Sequence, residues 1–171
     1  MSRLALGIDI GTSGVRAALL DAEGAVVGMA AAAMSDHAPD AGAEPPDPRA
    51  DTQADTQAAT HAGPRDWHRD PVVWQAALAA ALAELGRSHD LGAVAALAVD
   101  GTSGTVLALD GDDAPVGHAL MYNDAVSDPA IPAAIAAHAP RDSAAHGAAS
   151  ALARAIALQD RPGVARILHQ A

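Results

Sequence analysis

The apolar residues of this chain fall into short runs separated by small polar turns, and the runs predict the elements. Leu4–Ile8 is the first run, closed by Asp9. It is too short for a helix and suits a strand buried on both faces. Gly11-Thr12-Ser13-Gly14 breaks the pattern, and Val15–Leu20 resumes it with Arg16 as its one charge. After Asp21-Ala22-Glu23-Gly24, Ala25–Gly28 is a third short strand, so the opening predicts a meander on tight turns. From Ala31 to Arg65 the apolar period disappears, and DTQA occurs twice in succession. That stretch, 31–65, reads as a low-complexity, disordered insertion.

Order resumes at Trp67. Asp70 suits a helix N-cap and Pro71 the first helical position. Trp74, Leu78, Leu82 and Leu85 recur at helical spacing, a stripe that packing alone accounts for, and Gly86 can end the helix. Val94–Val99 is a second all-apolar strand and ends on Asp100; Val106–Leu109 and a strand reaching about Tyr122 follow. Beyond Pro129 the pattern predicts three helices, over Ile131–Ala139, Ala148–Leu158 and Val164–Gln170.

Two of these segments echo one another: IDIGTSGVRAALLDAEG against VDGTSGTVLALDGDD. Each has a buried strand, a terminal Asp, a GTSG turn, an apolar strand and an acidic glycine turn. Such turns suit phosphate chemistry, because glycine lets backbone N–H groups approach an anion closely and hydroxyls add donors. Thr12, Ser13 and Arg16 supply those groups in the first copy, and Asp9 can hold Mg²⁺ that bridges to phosphate oxygens. A plain hairpin turn explains one copy equally well. Two copies at strand ends point to loops converging on one cleft. Tyr122-Asn123-Asp124 either meets sugar hydroxyls or caps a turn. His37 and His61 have no partner at metal-ligand spacing. Trp67 and His68, just before the helix cap, are candidates for a ligand rim.

Composition narrows the chemistry. The chain has 171 residues, enough for one ordinary domain, and a formal net charge of −11. Without a basic patch, nucleic acid and anionic membranes are poor partners. No Lys occurs, which removes a Walker A lysine and Schiff-base chemistry; Cys 0 removes disulfides and thiolate sites. The expected setting is a reducing cytoplasm, with no signal peptide and no apolar run long enough for a membrane span.

Taken together, GIDIGTSGVRAAL, the W-x-x-D-P-x-x-W of Trp67, Asp70, Pro71 and Trp74, VDGTSGTVLALD, MYND and SALARAIAL resemble the FGGY carbohydrate kinases, in that family's order. The GTSGT form of the second turn is most similar to the ketopentose branch, the ribulokinases and xylulokinases. The resemblance implies an α/β, ribonuclease H-like (actin-like ATPase) domain, a mixed sheet with flanking helices, as the N-terminal, sugar-binding side of a kinase. It implies transfer of the ATP γ-phosphoryl group to a sugar hydroxyl, with Mg²⁺. Asp9 matches the metal-side acidic residue. Gly11, Thr12, Ser13 and Arg16 match the phosphate loop, and Ser103, Gly104, Thr105, Asp124 and Trp67 fall on the substrate side.

Tyr122 stands where the family has Trp, and Val126 where Arg is common. The family's general base and its adenine-binding C-terminal domain come later in the pattern than Ala171. The expectation is therefore a partial kinase with little turnover alone. Two other readings stand beside it: a non-catalytic sugar-binding module or half of a split kinase, and a glycerol or gluconate kinase-like member.

Overall fold

The computed structural model describes residues 3–39 and 66–170. Strands β1 (Leu4–Ile10), β2 (Gly14–Leu20) and β3 (Val26–Ala33) form the expected antiparallel meander. Strand β4 (Val94–Gly101) then joins β1 in parallel, giving a mixed sheet of order β3-β2-β1-β4. Helix α1 (Pro71–Gly86) makes the crossover that a parallel pair requires. It starts as read from sequence: the Asp70 carboxylate accepts from the Val72 N–H at 2.9 Å, with Pro71 behind it.

The core lies between this helix and one face of the sheet. Leu6, Ile8 and Ile10 of β1 and Val15, Ala17 and Leu19 of β2 pack with Val73, Trp74, Ala77, Ala81 and Leu85 of α1. The period of two along β1 puts Gly7 and Asp9 on the opposite face. The expectation of burial on both faces is therefore corrected for β1, and more strongly for β4. Leu97 is 61% exposed and Val99 44%, because α1 lies mainly over β2 and β3 and leaves this part of the edge strand uncovered. An unpaired apolar edge is a template for another chain. Leu97→Lys should raise the concentration at which the chain stays monodisperse in light scattering, with stability changed by less than about 0.5 kcal/mol, as for a surface site.

Strand β5 (Val106–Leu109) pairs antiparallel with β6 (Arg166–His169) in a second, two-stranded sheet. The helix expected over Val164–Gln170 is thus a strand. Pro162 and Gly163 (φ +83°) turn the chain, and the open edge of β5 then pairs the backbone groups of Arg166–His169. The strand expected up to Tyr122 is reduced to isolated bridges, Leu109 with Pro115 and Val106 with Leu120. Helices α2 (Ala130–His138) and α3 (Ala151–Gln159) stand close to their expected places, α3 capped by the Ser150 hydroxyl.

The first residues of the 31–65 stretch, expected to be disordered, are ordered. Ala31–Ala33 complete β3, and Met34, in the 3-10 turn Met34–His37, is fully buried. Residues 40–65, His61 and the DTQA repeat among them, lie outside the described residues. The echo between the two halves is physical as well as textual. Asp21 accepts from the Glu23 and Ala25 N–H groups, and Asp110 accepts from those of Asp112 and Ala114.

Candidate functional site

Both glycine-hydroxyl turns leave the same end of the sheet. β1 and β4 run parallel and in register, so Asp9 lies beside Asp100 and Ile10 beside Gly101. The turns are also joined directly, the Thr102 N–H donating to the Ile10 carbonyl at 3.2 Å. In the first turn the Gly11 N–H closes onto the Gly14 carbonyl at 3.0 Å, and Thr12 and Ser13 are exposed at its tip.

Asp9 and Arg16 are cross-strand neighbours on the face away from α1. Arg16 Nη1 donates to Asp9 Oδ2 at 3.3 Å, with both side chains more than half exposed, so the pair adds little stability. With Asp100, Gly7, Ala18, Met29 and Ala98 they line a hollow of about 340 Å³. Asp9 therefore stays about half exposed beside Arg16.

The second turn is held from three sides. The Gln170 side-chain carbonyl accepts from the Thr102 N–H at 3.2 Å, and the Gln170 N–H donates to the Thr105 carbonyl at 3.2 Å. Arg154 Nε donates to the Gly104 carbonyl at 3.0 Å. Ser103 is exposed and Gly104 half-buried at φ +80°, but Thr105 is fully buried and supports the turn from below.

Asp124 is already engaged. Arg69 grips its carboxylate through both terminal nitrogens, Nη2 to Oδ1 at 2.9 Å, and the Met121 N–H donates to Oδ2 at 2.7 Å. Burial works against its charge. The Arg69 and Met121 hydrogen bonds, with the charges of Arg69 and Arg154, outweigh that and hold its pKa below the ordinary value. Burial likewise pulls Arg154 below the usual guanidinium value, opposed by Asp124. Trp67, two residues before Arg69, is half-buried against the main core, its ring edge-on to His68.

The structure thus sets the Gly11–Gly14 turn beside the Gly101–Thr105 turn at one end of the sheet, while Asp9, Arg16 and Asp100 line the hollow on the face away from α1. It ties the Asp124 backbone to the second turn through Arg154. Sequence reading missed Arg69, Arg154 and Gln170. A lone arginine inside the otherwise apolar ALARAIAL helix was the signal for Arg154, since a charge there needs buried partners.

Comparison with solved structures reads the same architecture. A xylulose kinase from Bifidobacterium adolescentis matches at TM-score 0.62 and 22% identity, over 99% of this chain and 32% of its own. A xyloylose kinase from Brucella ovis matches at TM-score 0.54 and 24% identity, over 79% of this chain and 24% of its own. A Plasmodium falciparum glycerol kinase solved with ADP matches at TM-score 0.54 and 15% identity, over 94% of this chain and 29% of its own.

The chain has a carbohydrate-kinase fold. Those solved structures are kinases of the kind the motifs pointed to, and the chain spans a quarter to a third of their length. No family model and no curated protein sequence matches the chain. Within the kinase fold described here, no helix among the described residues is long and apolar enough to cross a membrane.

Proposed function

We propose that this chain forms the sugar- and phosphate-binding side of an ATP-dependent carbohydrate kinase with a ribonuclease H-like core, acting on a ketopentose such as ribulose or xylulose. One observation carries the reading: the in-register parallel pairing of β1 with β4, which sets the two GTSG turns beside each other with Asp9 and Asp100 at their bases.

In this reading Thr12 and Ser13 meet the terminal phosphates of ATP. Asp9, exposed and loosely paired, is the residue suited to hold Mg²⁺, which when bound neutralises charge on the phosphate oxygens. Arg16, beside Asp9, adds positive charge. Ser103 and Gly104 orient the sugar, with Thr105 beneath them and Trp67 and Asp124 flanking. Phosphoryl transfer rests on positioning and charge stabilisation, so a wall of this kind binds without completing the reaction. We assign the base for the sugar hydroxyl and the adenine surface to the part of the kinase fold beyond this chain's share.

The test is calorimetry of the chain with ketopentoses, glycerol and gluconate, alone and with Mg²⁺-ADP. We expect ketopentose to bind best, negligible turnover in a coupled assay, and Asp9→Asn to weaken Mg²⁺-dependent nucleotide binding about tenfold, the effect of one lost charged contact. Absence of heat with every pentose would remove the ketopentose assignment. Tighter binding of glycerol would favour the glycerol-kinase reading, which the glycerol kinase match supports.

A further inference from the structure

Arg154 is 2% exposed, and among the described residues no carboxylate is hydrogen-bonded to it; its guanidinium instead meets four backbone carbonyls. Nε donates to Gly104 at 3.0 Å, and Nη1 is shared among Tyr122 at 3.0 Å, Asp124 at 2.9 Å and Ala149 at 2.6 Å. Three turns far apart in sequence therefore meet on one side chain.

Burying an arginine this deeply is costly unless its donors are used. The neighbouring buried positions of α3 are Ala153 and Leu158, so an apolar residue would pack there at less cost. What an apolar residue lacks is the planar fork that reaches several carbonyls at fixed angles. The fit is close. A Cβ added at Gly104, whose φ is +80°, would stand 2.9 Å from Arg154 Nη2, so a side chain there both strains the turn and makes the guanidinium shift. On the far side Arg69 and the Met121 N–H saturate most of the Asp124 carboxylate, which fixes the turn that carries Tyr122 and Asn123, both exposed.

We propose that Arg154 is a positioning residue that couples the Gly101–Thr105 turn to the Tyr122–Asp124 turn, so that Ser103 and Asn123 face a sugar from one rigid edge. Asp124 holds that edge through Arg69 and does not itself grip the sugar. The coupling stands on the hydrogen bonds alone; its use for sugar rests on the kinase reading above.

The experiment is residue-resolved amide exchange by NMR, with ketopentose calorimetry, on the wild-type chain, Arg154→Met, Arg154→Lys and Gly104→Ala. In Arg154→Met, exchange at residues 104–106 and 121–124 should accelerate about tenfold or more, while β1, β2 and α1 stay within about twofold, the pattern of local rather than global opening. Arg154→Lys, with one compact ammonium, should restore protection in one turn and not both. Gly104→Ala keeps the arginine but displaces it, and should loosen 121–124 even where the Met variant fails to fold.

Ketopentose affinity should fall about tenfold in Arg154→Met, as when a site loses preorganisation. Uniform acceleration across the chain, unchanged exchange in both turns, or loosened turns with unchanged affinity would each overturn the proposal. If the wild-type chain binds no ketopentose, the sugar reading falls, and the exchange pattern still decides whether Arg154 couples the turns.

Discussion

Asp124→Ala should destabilise the chain by about 2–3 kcal/mol, somewhat less than breaking a fully buried ion pair costs, since both side chains keep about a fifth of their surface exposed. The substitution removes the acceptor for both terminal nitrogens of Arg69 and for the Met121 N–H. Arg69 lies immediately before the α1 cap and Met121 is fully buried, so the loss acts where α1 meets the 119–124 segment. In thermal melts the midpoint should drop by roughly 5–10 °C for a domain of this size. Arg69→Met combined with Asp124→Ala should cost less than the two singles summed, because they share one interaction.

The same group gives a pH signature. Its folded pKa is lowered, so its contribution is complete above the unfolded value, about 4 for an aspartate. It is lost as pH falls through the lowered folded value. Asp124→Asn removes that titration. The gap between wild type and Asp124→Asn should be widest near neutrality and close in acid. A gap that stays constant in urea melts from about pH 7 to pH 3 would rule out the charged pair as its source.

Gly14→Ala should have the second large effect, about 1–3 kcal/mol, as for overpacking at a rigid site. An added Cβ would lie 2.6 Å from the Ala32 carbonyl, a backbone atom of the paired strand that cannot rotate away. Relief requires β3 to move off β2, which also pulls on the Met34 N–H bond to the Ser13 carbonyl at 2.9 Å. Gly14 closes the first turn through Gly11, so the strain falls on Thr12 and Ser13. The control lies on the same sheet. Gly7→Ala meets nothing within 4 Å and should be neutral or slightly stabilising. Equal midpoints for the two variants would show that β3 yields freely at Ala32.

Local chemistry made much of the chain legible. Asp70-Pro71 announced the start of α1 because capping acts within a few residues. The two GTSG turns and their trailing aspartates were visible as a repeat, and the acidic turns close through the same carboxylate contacts. The strand character of 166–169 was not legible. Isoleucine and leucine suit either state in so short a run, and the choice fell to the unpaired edge of β5. The exposure of β4 was hidden for a related reason: six apolar residues in a row say nothing of what covers them.

The role of Asp124 divides the two levels most clearly. By itself the sequence determined where the opening meander, β4, β5 and the capped helix α1 stand, and that two hydroxyl-bearing bends each follow a carboxylate, because backbone conformation and capping answer to near neighbours. Only the tertiary structure decided that the bends adjoin, through a parallel pairing across more than eighty residues. It alone showed that Arg69 and Arg154 take up the carboxylate and carbonyls around Asp124. Partners so distant along the chain leave no periodicity, and burial selects them only once the strands are packed.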